Sequence, residues 1–281
     1  MKKIEILLAT FNGENYLEAL LESIASQTYS DWVLSVADDG SSDGTVEILK
    51  KFQNKFKDRV FIKVNATRMG ASENFMNLMA SIKLDLVAFC DQDDIWLPNK
   101  LSRLYNEYME QERRSKDTKS PILIYSDARI VDKKLKTLQP SLFQFHKTQG
   151  SVSHSYNMLK YRNCITGCTV LTNRDAVNMA IKSATDLFHK FQTKVVMHDH
   201  WLGLVVSVNS GSIVRVEDAL VLYRQHEKNA VGAVKARVSF RSLNRKAKNI
   251  WKKYLMVKSL EEGSFFIIYF LKHLQYSMCN R

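Results

Sequence analysis

The chain has 281 residues, which suits one large domain or a domain with an appendage. Its hydrophobic share of 45% is that of a folded globular protein and excludes a disordered chain. The formal net charge is +12, and the surplus is uneven: residues 235–281 carry eleven Lys or Arg against two acids, so the basicity belongs to a tail.

The first 13 residues, MKKIEILLATFNG, hold only a short apolar run and no small-residue cleavage site. They read as a first strand, residues 4–9, and not as a signal peptide. Leu17, Leu20, Leu21 and Ile24 then recur at helical spacing. A second strand, 32–37, ends in Asp38-Asp39-Gly40-Ser41-Ser42-Asp43-Gly44, with Asp43 placed to cap a helix marked by Val46, Leu49, Phe52 and Phe56. A third strand is expected at 60–64. A loop with Arg68 and Gly70 leads from it to a helix marked by Phe75, Leu78, Met79 and Ile82. A fourth strand, 86–90, runs abruptly into Asp91-Gln92-Asp93-Asp94. Pro98 suits the first turn of the next helix, along which Leu101, Leu104, Tyr105 and Tyr108 recur.

The second half is less regular. Residues 121–125 suit a fifth strand, and 140–163 a loop over a site. Residues 163–171 read as a strand or turn in which Gly167 permits close backbone approach. Asp199, in HDHW (198–201), falls at or near a helix N-terminus, where an Asp commonly serves only as a cap. Strand-like runs at 213–216 and 220–223 lead to Arg224-Gln225-His226. In the tail, Leu243, Ala247, Ile250, Tyr254 and Val257 form a helical stripe, while Lys and Arg mostly lie off it. That pattern suits a helix lying on an anionic membrane surface, or one packed on the body. The apolar run at 265–271 is far short of the ~20 residues that span a bilayer.

Strand and helix alternate, so the expected class is α/β with a largely parallel sheet. The polar clusters at 10–13, 38–44, 65–70 and 91–94 each follow a strand, and should gather at the carboxyl edge where open α/β sheets bind ligands. Three acids within four residues repel one another unless they are solvated, hydrogen-bonded or neutralised by a cation. Asp91 and Asp93 share a face if strand geometry continues, and paired carboxylates suit Mg²⁺ or Mn²⁺. Solvated acids capping a helix would give the same sequence. The four cysteines (Cys90, Cys164, Cys168, Cys279) suggest neither a disulfide framework nor a zinc site, so a reducing cytosol is expected.

ATFNGENYL, ADDGSSDGT, DQDDIWLPNKL and HDHW, in this order, resemble the family 2 glycosyltransferases of GT-A fold. With LYRQHEKNAVGA they are similar to bacterial polysaccharide glycosyltransferases, rhamnosyltransferases among them. The likeness covers roughly 4–232 and is specific as a set. It divides the chain into a GT-A domain at 1–234 and a basic helical tail at 235–281. The resemblance implies inverting transfer from a nucleotide sugar, dTDP-rhamnose or a UDP-hexose, to a polyprenyl-diphosphate-linked saccharide. It places Thr10, Phe11, Asn12 and Glu14 in the first nucleotide loop, Asp39 at the pyrimidine base and Asn74 in support. Asp91, Gln92 and Asp93 occupy the DxD motif, with Asp91, Asp93 and the late His226 as ligands of Mn²⁺ or Mg²⁺. Asp199 matches the general base. The family's base motif reads acid-acid, whereas His198 stands first here.

The tail suggests a peripheral protein on the cytoplasmic face of the membrane. Two other readings compete. One is a different Mg²⁺-dependent α/β enzyme acting on phosphoryl groups, which would release phosphate and not a nucleoside diphosphate. The other is a nucleic-acid-binding protein using its basic tail, which the acidic polar edge of the body argues against. No nucleic-acid partner is therefore expected.

Overall fold

The computed structural model describes residues 1–115, 119–147, 155–227, 229, 240–261 and 269. Its first half is built from β1 (Ile4–Thr10), α1 (Glu14–Ala25), β2 (Trp32–Asp38), α2 (Thr45–Phe56), β3 (Val60–Val64), α3 (Ala71–Ala80) and β4 (Leu86–Asp91). β1 and β4 are nearly continuous apolar runs, and both are buried along almost their whole length. A strand covered by helices on both faces has that pattern.

The sheet runs in the order β3-β2-β1-β4, all parallel. Its register sets Thr10 opposite Asp38 and Ala9 opposite Asp91. Three strands therefore deliver their polar ends at one level. Asp43 lies one residue ahead of the α2 cap position, Gly44, and accepts a hydrogen bond from Thr45 N–H at 3.1 Å.

The helix expected directly behind the acids is delayed. The two-residue strand β5 (Ile95–Trp96) comes first, and α4 (Lys100–Arg114) starts after Asn99, so Pro98 precedes the helix. β5 exists because it pairs with Leu222 and Val221 and buries Trp96 to 1% exposure.

β6 (Ile122–Val131) has ten residues, twice the expected run. It continues through the polar pair Ser126 and Asp127, because Asp127 Oδ1 accepts from Ala128 and Phe143 N–H. β7 (Thr137–Gln139) pairs with its end. The expected loop at 140–163 contains two short helices, α5 (Leu142–Phe145) and α6 (Tyr156–Leu159), whose Leu142, Phe143 and Leu159 are buried. Residues 148–154 of that segment lie outside the described residues.

A 3-10 turn, Gly167–Thr169, precedes β8 (Val170–Asn173) and α7 (Arg174–Phe191). α7 adds a helix that the apolar pattern did not announce, because much of its buried face is small (Ala176, Val177, Ala180). α8 (His198–Val208) leads to β9 (Ser212–Arg224). The two strand-like runs at 213–216 and 220–223 are one strand, bulged where Val216 and Ala219 face consecutive residues of β6. β8 runs antiparallel to β4 and β6, and β9 runs parallel to β6, so β1 to β4, β6 and β9 share one direction. This is a mixed, mostly parallel α/β sheet, as expected.

α9 (Phe240–Leu260) closes the described chain. Tyr254, Met256 and Val257 are buried, and Ile250 packs beside them, in an apolar layer shared with Trp201 and Leu204 of α8 and Ala180 of α7. The stripe therefore rests on the body over its described part. The side chains of Leu243 and Ala247 lie outside the described residues, as does most of 265–271. Among the described residues no helix is long and apolar enough to cross a membrane.

Candidate active site

The first polar loop folds around a buried acid. Asp38 accepts from Thr10 Oγ1 at 2.8 Å and from Ser41 N–H at 2.8 Å, which closes the turn after β2. Asn12 adopts a left-handed φ of 48°. Its side-chain Oδ1 accepts from Ser42 N–H at 2.9 Å, so the loops after β1 and β2 are stitched together. Exposed Glu14 adds a stitch by accepting from Gly44 N–H at 2.8 Å. The guanidinium of Arg68 lies 3.8 Å from the ring centroid of Phe11.

Asp39, 2% exposed, accepts from Met69 N–H at 2.8 Å on one oxygen and from Gly70 N–H at 2.7 Å on the other. It holds the loop that opens α3. Oδ1 also accepts from Asn65 Nδ2 at 3.4 Å, and Oδ2 keeps a lone pair for a further donor. Asn74 is buried; it donates to Ala37 O at 2.7 Å and accepts from Asn65 Nδ2 at 3.0 Å, bracing the same loop.

Gln92 turns back from the end of β4. Its amide accepts from Phe11 N–H at 2.9 Å and donates to Phe11 O at 3.0 Å. A Cβ on Gly13 would come within 2.3 Å of Gln92 Oε1, so the close approach of the two loops requires glycine there.

The acids separate. β4 ends at Asp91 and a turn follows at Gln92 and Asp93, so strand geometry does not continue through the acids. Donor atoms of Asp91, Asp94 and Cys168 lie within 4.8 Å of one another. Asp94 is fully buried; one oxygen accepts from Arg224 N–H at 3.1 Å. Asp93 turns to the end of β9, where its Oδ2 lies 2.8 Å from His226 Nε2 and 3.2 Å from Asn229 Nδ2. Arg224 fastens the turn by donating from Nε to Asp93 O at 2.7 Å. Tyr16 stacks on His226 with ring centroids 4.6 Å apart.

Burial, then the charges of Asp93 and Asp199, push the Asp91 carboxyl up to about 7. Burial and neighbouring like charge thus both disfavour a bare carboxylate at Asp91. A carboxylate and an imidazole with adjacent donor atoms, beside a second carboxylate, fit Mn²⁺ or Mg²⁺.

Asp199 stands in the first turn of α8 and is 6% exposed. Oδ1 accepts from Asn163 Nδ2 at 3.1 Å and from His200 N–H at 2.6 Å, and Oδ2 accepts from Gly167 N–H at 3.0 Å. This carboxylate is held from two sides and does more than cap its helix. His198 stacks on Phe75 at 4.0 Å, and burial lowers its pKa, so it sits neutral in the core.

Against this geometry stand the likenesses to known proteins. The family model described as Glycosyl transferase family 2 matches residues 5–118. Over that segment the chain is similar to glycosyl transferase family 2. The matched segment carries the loops after β1 and β2 and the acids after β4. The chain is 26% identical over 232 residues, 80% of its length and 74% of the relative's, to the "dTDP-rhamnosyl transferase RfbG" of Shigella flexneri. It is 33% identical over 98 residues to a "UDP-Glc:alpha-D-GlcNAc-diphosphoundecaprenol beta-1,3-glucosyltransferase" of Escherichia coli, spanning 35% of this chain and 38% of that one. Its fold is similar to that of S. aureus TarS 1-349 in complex with UDP-GlcNAc, with a TM-score of 0.60 at 17% identity over 96% of this chain and 73% of the other. That likeness extends the GT-A fold beyond the family segment.

Several site residues were not singled out in the sequence: Asn163, Asp94, Arg224 and Lys100. Asp94 and Lys100 lie inside the DQDDIWLPNKL motif, so the motif itself was their signal.

Proposed function

We propose that the chain transfers a sugar, with inversion, from a nucleoside diphosphate donor to a hydroxyl of a saccharide linked to a lipid diphosphate. The observation that supports this most is the pairing of Asp93 with His226 at 2.8 Å, on the same edge as Asp199, whose charge acts on Asp91. The donor class comes from the family 2 likeness; dTDP-rhamnose and UDP-hexoses both suit it, and the names of the two relatives include one of each. The acceptor class is carried over from the printed name of the E. coli relative.

In this reading the loops at Thr10, Phe11, Asn12 and Glu14, with Asp39, Asn74 and Gln92, shape the nucleotide pocket. Asp93 and His226, with Asp91, would hold the Mn²⁺ or Mg²⁺. A divalent cation there supplies Lewis-acid stabilisation of the leaving diphosphate. Asp199, held on both oxygens, keeps a lone pair on Oδ2 to take the proton of the attacking hydroxyl. A single displacement then inverts the anomeric carbon. The basic segment at 235–281 would keep the protein on the anionic cytoplasmic face of the membrane, near its acceptor, at ~1 kcal/mol per Lys or Arg at the surface.

The test is nucleoside diphosphate release across UDP-, dTDP- and GDP-sugars with Mn²⁺ or Mg²⁺ and a polyprenyl-diphosphate saccharide, beside Asp93→Ala. Metal-dependent release from one donor, lost in the variant, is the expected result. Release of inorganic phosphate instead would sink the reading in favour of a phosphoryl-acting enzyme.

A further inference from the structure

Lys100 is the first residue of α4 and is fully buried, an uncommon place for a lysine. Its Nζ donates to Cys168 O at 2.7 Å and lies 3.1 Å from the ring centroid of Trp96. Around it stand the fully buried Asp94 and the Cys168 thiol, which shares its 4.8 Å cluster with Asp91. Cys168 belongs to the 3-10 turn Gly167–Thr169, and the Gly167 amide of that turn holds Asp199 Oδ2 at 3.0 Å. One ammonium thus touches the acid-bearing segment through Trp96 and the base-holding turn through Cys168.

A solvated lysine would serve neither segment, and burying one costs several kcal/mol unless it is compensated. Burial pulls the lysine down to about 7, a fall that nearby Asp94 and Asp91 oppose, while the Cys168 carbonyl supplies a hydrogen bond and Trp96 a ring face. Asp94 Oδ2 has no hydrogen-bond partner among the described residues, so the attraction between it and Lys100 is through space. The two chain segments come from distant parts of the sequence, 91–100 and 163–169. Arg224, also buried, binds elsewhere, to Asp93 O in the acid turn and to Lys133 O in the turn after β6.

We propose that Lys100 is a positioning residue for sugar transfer: its buried ammonium locks the Gly167–Thr169 turn to the segment after β4, and so fixes Asp199 relative to the acids. The proposal rests on the reading of Asp199 as the base, but its first test does not.

That test is amide hydrogen exchange over 163–170 in the full chain, comparing the wild type with Lys100→Met and Lys100→Arg. Loss of the lock raises exchange at the Gly167 and Thr169 amides by at least about tenfold, the effect of losing one charge-assisted hydrogen bond worth ~1.5–3 kcal/mol. Lys100→Arg retains part of the protection. Unchanged exchange in folded Lys100→Met overturns the proposal. Turnover then gives a second arm: kcat of Lys100→Met falls while donor KM and UDP affinity stay near wild type. Parallel loss of kcat and UDP affinity means a structural role only, and also overturns it. Should Lys100→Met fail to fold, Asp94→Asn added to it removes the stranded acid. Wild-type kcat and exchange in that pair overturn the proposal, and low kcat with fast exchange supports it. A wild type inert toward every donor would instead refute the transferase reading and leave the exchange result standing.

Discussion

The side-chain amide of Gln92 forms a closed pair of hydrogen bonds with the backbone of Phe11, at 2.9 and 3.0 Å. It joins the turn that carries the acids to the loop that would meet the nucleotide. Gln92→Ala breaks both bonds and frees the loop. We expect UDP or dTDP affinity to fall by roughly 1–2 kcal/mol, about five- to thirtyfold, in a calorimetric titration. Gly13→Ala should act in the same direction, since its Cβ would displace the Gln92 amide.

Asp199→Asn keeps the shape of the carboxylate and removes its basicity. Transfer should fall by about 10²–10⁴ while UDP affinity changes little. A folded variant with near-normal kcat would reduce Asp199 to a helix cap.

His226→Ala removes the nitrogen beside Asp93. Mn²⁺ affinity, read by electron paramagnetic resonance with the nucleotide present, should drop by at least about tenfold. Asp93→Ala should drop it further. Equal affinity in both variants and the wild type would move the metal site away from this pair.

The raised pKa of Asp91 has a sign that can be measured. Its ordinary value is near 3.8 and its folded value about 7, so the folded protein holds this proton over a window where the unfolded chain has lost it. Without metal, the stability contributed by Asp91 is therefore greatest below pH 4 and declines as pH rises to about 7. Asp91→Asn should lack that decline. Melting curves of the two metal-free proteins should diverge between about pH 4 and about 7, the wild type losing ground, and parallel curves would refute the assignment.

The parallel half of the sheet was legible because its strands are apolar runs that stop abruptly at acids, as Cys90 gives way to Asp91. The gathering of Thr10, Asp39 and Asp91 on one edge followed from that alternation alone. What each acid does was not legible. Asp38 and Asp39 are neighbours of identical chemistry, yet one closes its own turn and the other holds the loop at Met69 and Gly70. The strand geometry on which a shared face of Asp91 and Asp93 was expected ends at Asp91, where the chain turns before β5 pairs with β9. Nothing in the sequence marks Lys100 as buried, and only tertiary packing reveals it. α7 was missed because alanines fill its inner face, which carries little periodic signal.

α9 can spend its apolar stripe only once, and in the described residues Tyr254 and Val257 spend it on the body. Cutting the chain at 235 to ask whether the tail binds lipid would therefore strip cover from α7 and α8, at roughly 1.5–3 kcal/mol for each large side chain uncovered. Such a truncation would confuse a lost anchor with a failing fold. Lys248 and Lys252 are exposed on the same helix, and reversing them to Glu leaves the packed side intact. If attachment to anionic vesicles weakens while the melting temperature holds, the helix serves two masters from opposite sides: a structural wall facing inward and a mooring facing out, which would fix the angle at which the cleft meets the bilayer.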